Sequence, residues 1–133
     1  MKKTMLFFLS LLVTVTGFTE DVVLANQTSY PSKDQKSKIA IQWATSAKEV
    51  DEANKALMYG SKLNQNSLQT LTQPGKINLT IPTNAEHFRV LVWSKDEENP
   101  DLVTNWVDIV PNKTYTLTED LLVPTVLMLG TGC

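Results

Sequence analysis

Cysteine and histidine are nearly absent from the sequence, which contains one of each, Cys133 and His87. A single cysteine cannot form an internal disulfide, so the chain must fold without one. Tetrahedral zinc sites draw mainly on histidine and cysteine ligands, and two such residues far apart are too few. A hydrolytic triad would have to use His87 as its only base, and no Gly-x-Ser-x-Gly motif offers a nucleophile. We therefore expect a non-catalytic protein that carries no cofactor.

Glycine and clustered positive charge are also scarce. The chain has five glycines, and none has the spacing of a loop that cradles phosphate. Arg89 is the only arginine, the lysines are scattered, and the formal net charge is −2. Nucleic-acid surfaces and anionic membranes attract basic patches, which this sequence lacks. We expect neither nucleic acid nor a membrane surface as its partner.

The longest apolar run lies at the N-terminus and is too short to cross a bilayer. Two lysines follow Met1, and an apolar run then covers residues 5–15, whereas a spanning helix needs about 20 residues. This order is typical of a secretory signal peptide, and its short lysine start looks bacterial. Small residues allow cleavage after Ala25, which we favour, or after Gly17. The prediction is a leader over residues 1–25 and a secreted or periplasmic mature protein without a membrane anchor.

The predicted mature chain divides into an arm and one domain. Residues 26–37 are polar and have no apolar period, which predicts a flexible arm leading into a single domain over residues 38–133. A domain of that length can bury a sufficient core without crosslinks. Cys133 is the last residue and follows a Gly-Thr-Gly tip. It is either an idle thiol or the site of a disulfide to a partner chain.

Alternation of apolar and polar residues predicts a mainly β domain. Ile39, Ile41 and Trp43 define a first strand, and the Ser46–Glu49 capping box starts a helix that ends near Gly60. A strand over residues 56–63 is the alternative to the end of that helix. About seven short strands separated by turn signals predict a two-layer antiparallel β sandwich, immunoglobulin-like or transthyretin-like, with one short helix.

The stretch over residues 76–117 is predicted to form consecutive antiparallel strands, and its central hairpin offers a candidate binding face. We take residues 95–102 as its loop, which places Trp93 beside Thr104 and Leu91 beside Trp106. The same register places Arg89 beside Asp108 as an ion pair. This register predicts that Val90, Val92, Val103, Val107 and Ile109 share the core face. The opposite face would present a surface for a protein or a carbohydrate. Its candidate binding residues are Arg89, Trp93, Trp106 and Asp108. Alternatively, the helix or the second sheet covers both tryptophans, which would then belong to the core.

The hairpin loop contains the one oxygen-rich cluster of the sequence. Calcium prefers six to eight oxygen ligands, and the loop could supply several of them. It lacks the turn glycine and the alternating spacing of a calcium loop, so a solvated tip is the favoured interpretation. The weak calcium candidates are Asp96, Glu98, Asn99 and Asp101.

These observations favour a small secreted, non-catalytic binding or adhesion-type module. The alternative is a structural or assembly subunit, joined to its partners through an apolar C-terminal strand over residues 123–129 or through Cys133. Exposure of Trp93 and Trp106 would favour the binding module, because large exposed aromatic side chains mark contact sites.

Overall fold

A computed structural model describes residues 20–34 and 36–130, with side chains as far as residue 127. Each sheet strand and helix is bounded as follows: β1 Asp21–Asn26, β2 Lys38–Ala44, α1 Ala47–Met58, β3 Leu68–Leu71, β4 Gly75–Thr80, β5 His87–Trp93, β6 Leu102–Val103, β7 Val107–Asp108, β8 Thr114–Leu117, β9 Val123–Pro124 and α2 Thr125–Gly130. Neither helix of this described part is long and apolar enough to cross a bilayer.

Two sheets pack face to face, which confirms the predicted β sandwich. The small sheet has the order β4-β1-β8, in which β1 runs antiparallel to β4 and parallel to β8. The large sheet has the order β3-β2-β5-β6-β9, and β7 also pairs with β5. Alternate residues of each strand point inward and form one apolar core. Its buried members are Val22, Leu24, Ile39, Ile41, Trp43, Leu71, Leu79, Phe88, Val90, Val92, Leu117 and Leu122.

Strand β1 lies where the sequence predicted the end of a leader. Val22 and Leu24 are 1% and 2% exposed, and β1 pairs with both of its neighbours as far as Asn26. A boundary after Ala25 would divide this strand, which pairs with β4 and β8 in the small sheet. Residues 1–19 lie outside the described part of the chain, and the signal peptide itself stays a prediction.

The segment predicted as a flexible arm is held by side-chain hydrogen bonds. Asn26 donates through Nδ2 to the Tyr30 carbonyl at 2.8 Å and accepts from the Thr28 hydroxyl at 2.7 Å. The backbone N–H groups of Ser32 and Ser37 each donate to the other residue's hydroxyl, at 2.7 and 3.1 Å. Side chains that satisfy buried backbone groups restrict a segment without secondary structure. The Ser29 N–H and hydroxyl also donate to Glu119 Oε1, at 2.8 and 2.9 Å, and these bonds connect the segment to the rest of the fold.

Helix α1 follows the sequence prediction at both ends. The Ser46 hydroxyl accepts from the Glu49 N–H at 3.2 Å, and the Glu49 carboxylate accepts from the Thr45 N–H at 2.7 Å. Gly60 has a φ of 65°, the left-handed conformation that glycine adopts without strain. The helix covers the outer face of the large sheet, where Leu57 packs against Leu91 and Val103 in a second apolar cluster.

The predicted register of the central hairpin is wrong. Leu91 pairs with Val103, and His87 pairs with Asp108, whereas the sequence prediction paired Leu91 with Trp106 and Arg89 with Asp108. The partner strand breaks between β6 and β7, where the Thr104 hydroxyl accepts from the Val90 N–H at 2.9 Å. The main difference arises at the loop, because Leu102 pairs with Val92 instead of Lys95. The break then adds one residue to the partner strand before β7.

Two further expectations differ from the structure. Val103 packs under α1 instead of in the inner core, and Val107 is 38% exposed. The apolar C-terminal run was predicted as a strand over residues 123–129. Only Val123–Pro124 is extended, and Thr125–Gly130 is helical.

Candidate functional site

Arg89 lies beneath α1 and is only 1% exposed. Its Nε donates to Gln42 Oε1 at 2.7 Å, and its terminal nitrogens donate to Asn54 Oδ1 at 2.9 Å and to the Ala53 carbonyl at 3.2 Å. Burial lowers the pKa of Arg89 to about 10, so the side chain keeps its charge at neutral pH. The predicted ion pair with Asp108 is not formed. Arg89 fastens the helix to the sheet and is not available to a ligand.

Trp106 packs on the same arginine. The Arg89 Cζ atom lies 4.4 Å from the centre of the Trp106 ring. The indole N–H donates to Asn54 Oδ1 at 2.9 Å, and the ring is half-buried. The helix thus covers this part of the face, which is the alternative that the sequence left open for the tryptophans.

Asp108 lies away from this cluster. Its Oδ1 is 3.0 Å from His87 Nδ1 on the neighbouring strand, and its side chain is 86% exposed. The four candidate residues therefore do not form one exposed surface. Arg89 and Trp106 lie together under α1, Asp108 lies at the β5–β7 edge, and Trp93 lies at the other end of β5.

Trp93 is the predicted residue that does border an open cleft. The cleft has a volume of about 350 Å³ and lies beside β2, β3 and the loop after β5. One side of Trp93 packs against the cluster under α1, and its indole N–H donates to the Glu98 carbonyl at 3.1 Å. These two contacts hold the ring in a fixed orientation. The polar residues that share the cleft are Lys38, Gln65, Thr70, Glu97 and Glu98.

Strand register explains why a cleft exists at this place. Lys38 is opposite Trp93, and Ala40 is opposite both Leu91 and Thr70. Residues directly opposite one another point to the same face of a sheet. The small side chain of Ala40 leaves space between the larger side chains of its neighbours. The alternation of β2 shows that Lys38 and Ala40 share a face, but only the pairing of three strands brings Thr70 beside them.

The cleft combines an aromatic ring with several kinds of polar group. Lys38 offers an ammonium, Thr70 a hydroxyl and Gln65 an amide, while Glu97 and Glu98 offer carboxylates, and all five residues are exposed. Ligand sites in proteins typically pair an apolar surface with a few polar groups that fix orientation. The volume falls near the lower end of the roughly 300 to 1,000 Å³ that such sites span. The cleft is large enough for one sugar ring or one amino-acid side chain.

The acidic loop does not bring its oxygen ligands together. Asp101 turns back toward β5, where its Oδ1 accepts from the Ser94 N–H at 2.7 Å and its Oδ2 accepts from the Ser94 hydroxyl. Among the residues with described placement, no group of three or more histidine, cysteine, aspartate or glutamate side chains is arranged to hold a metal. The weak calcium candidates Asp96, Glu98, Asn99 and Asp101 are therefore not assembled into a ligand set. Cys133 lies outside the described residues.

No protein-family model matches the chain, and no curated protein shows significant sequence similarity to it.

Proposed function

We propose that this protein is a small exported, non-catalytic binding module that takes a carbohydrate at the Trp93 cleft. The observation that carries the proposal is the Trp93 ring, which is half-exposed, held in orientation and surrounded by polar groups from separate elements. The predicted leader supports export.

Carbohydrate is the ligand class that suits this combination of groups best. A sugar ring has an apolar C–H face, which an aromatic ring can cover, and a rim of hydroxyls that donate and accept hydrogen bonds. Thr70 and Gln65 can do both, Lys38 can donate, and the two glutamates can accept. The strand that carries Lys38 pairs with the strand of Thr70 on one side and with the strand of Trp93 on the other. The positions of these residues are therefore set before any ligand arrives.

A binding role is favoured over hydrolysis by the exposure of the two glutamates. Glycoside hydrolases keep one carboxylic acid protonated at neutral pH by burying it, and they place a second carboxyl group across the scissile bond. Glu97 and Glu98 are both exposed, and they are neighbours on one loop. This arrangement supports recognition of hydroxyls and gives no support to acid catalysis.

The test compares glycan binding by variants of the cleft. We would screen the exported protein on a glycan array and measure the strongest hit by calorimetry, using wild type, Trp93→Ala and Trp93→Phe. Loss of the ring in Trp93→Ala should weaken binding by about 30-fold, which corresponds to a contact worth about 2 kcal/mol. Trp93→Phe keeps an aromatic ring and should retain most of the affinity.

Trp106→Phe is the matched control, because Trp106 packs on Arg89 away from the cleft. It should leave the affinity for the glycan unchanged. Equal glycan affinity in wild type and Trp93→Ala would reject the cleft as the site, and protein ligands without any glycan hit would reject the ligand class.

Assembly is a second candidate function, favoured by an exposed apolar patch near the C-terminus. Tyr59 is 74% exposed, and Val126 and Leu127 are 67% and 58% exposed. Exposed apolar patches on small proteins often mark protein contacts. Sedimentation of the exported protein would reveal assembly as a mass above that of a single chain. Loss of that mass in reductant would show that Cys133 contributes.

A further inference from the structure

We infer that the leader is removed directly after Gly17, so that the mature protein begins at Phe18 and keeps the whole of β1. This inference rests on the proposed export. It replaces the site after Ala25 that the sequence pattern favoured, and it follows from the position of β1 in the small sheet.

Strand β1 connects the other two strands of the small sheet. Six residues of β1 pair with β4 and four pair with β8. Within the described residues, β4 and β8 join no other strand. Cleavage after Ala25 would remove five of the six residues of β1 and leave both neighbours without a partner. The exposed backbone groups of two short strands cannot form a stable sheet by themselves.

The residues just before Asn26 also fill the core between the sheets. Val22 and Leu24 are 1% and 2% exposed, and Ala25 is 7% exposed. At the start of the strand, the Glu20 carbonyl accepts from the Ile81 N–H at 2.8 Å, and the Asp21 carbonyl accepts from the Asn112 N–H at 2.8 Å. The mature chain therefore needs every residue from Glu20 onward, and cleavage must occur before it.

A suitable processing site exists just upstream of this limit. Leader peptidases select small residues at the first and third positions before the cut. Gly17 and Val15 occupy these positions after the lysine start and the apolar run. The similar pattern at Val23 and Ala25 has another explanation, because Ala25 is a buried strand residue and Val23 alternates with the inward-facing Val22 and Leu24.

The test determines the N-terminus of the full chain when it is expressed in a bacterial export host. Pulse-labelled and purified exported material would be analysed by N-terminal sequencing and intact mass, for wild type, Gly17→Leu and Ala25→Leu. A leucine directly before the cut blocks either site, and labelled material reports processing whether or not the variant folds. We expect a start at Phe18 in wild type and Ala25→Leu, and at least a tenfold loss of processed material in Gly17→Leu.

The other outcomes separate this inference from the proposed export. An exported chain that starts at Asn26, and that Ala25→Leu blocks, would overturn the inference and leave export intact. A start at Thr19 or Glu20 would keep β1 but overturn the assignment to Gly17, as would an exported chain that still begins at Met1. A full-length chain that stays inside the cell would overturn the export on which the inference rests.

Discussion

The Arg89 guanidinium lies 4.4 Å from the centre of the Trp106 ring, and both side chains donate to the same oxygen, Asn54 Oδ1. Among the described residues, no carboxylate lies within ion-pairing distance of Arg89. Its charge is instead balanced by neutral acceptors on α1 and β2 and by the electron-rich face of an indole. A desolvated cation–π contact contributes about 2 kcal/mol, and hydrogen bonds to charged groups contribute about 1.5 to 3 kcal/mol each. This cluster joins α1 to the large sheet.

Asn54→Ala should destabilise the protein although Asn54 is exposed. The substitution removes an acceptor from two donors, one of which belongs to a buried cation. Leaving such donors unsatisfied should lower the free energy of unfolding by about 2 kcal/mol. Urea unfolding would measure this loss. The control is Lys55→Ala on the same helix, which breaks only an exposed pair with Asp51 and should cost no more than about 0.5 kcal/mol. Equal costs would contradict the assigned role of Asn54.

The two hairpin tryptophans should separate in their effects on stability. Trp106→Ala removes the ring that packs on Arg89, and the loss should be about 3 kcal/mol, the low end for a tryptophan because the ring is half-buried. Trp93→Ala removes a ring that already borders a cleft, so it should lower the free energy of unfolding by less than Trp106→Ala. Thermal and urea unfolding of both variants would compare them. A larger loss for Trp93→Ala would show that its ring belongs to the core.

Thr104→Val should destabilise the protein, because the Thr104 hydroxyl replaces a backbone acceptor for Val90 at the strand break. The Thr104 hydroxyl accepts from the buried Val90 N–H at 2.9 Å and donates to the Asn105 carbonyl at 3.0 Å. Valine has nearly the same shape and removes both contacts, so we expect a loss of about 1 to 2 kcal/mol in unfolding free energy. Thr116→Val on the exposed face of β8 is the matched control and should be nearly neutral. No loss in Thr104→Val would argue against the observed register.

Stability should fall at acid pH in part through Glu49. The hydrogen bond from the Thr45 N–H lowers the pKa of Glu49 from its ordinary value. A carboxyl group whose pKa is lower in the folded state stabilises the fold above its unfolded pKa, and this contribution is lost as pH falls through the folded value. Glu49→Gln cannot titrate, so its unfolding midpoint should fall less than that of wild type between pH 6 and pH 3, a range chosen to span about the ordinary carboxyl pKa. Urea unfolding at both pH values would measure the difference. Parallel decreases in the two proteins would show that this cap contributes nothing to acid sensitivity.

The sequence alone determined the parts of the fold that depend on local pattern. The alternation of Ile39, Ile41 and Trp43 and of Phe88, Val90 and Val92 identified strands whose inward faces are buried as expected. The capping residues and Gly60 located α1, because caps and left-handed turns depend on residues a few positions apart. These signals were sufficient for a β sandwich with one prominent helix.

Only the tertiary structure decided which strands are neighbours and what covers each face. Strand alternation has a period of two whatever the partner, so it could not reveal that Leu102 pairs with Val92, the register that leaves Asp108 opposite His87 instead of Arg89. It could not show that α1 lies over Arg89 and Trp106 while Trp93 stays beside a cleft. It also could not separate a cleavage pattern from a strand at Ala25, since the parallel pairing of β1 with β8 joins residues about 90 positions apart. Pairings between distant segments depend on the packing of the whole chain, and they decided which residues a ligand can reach.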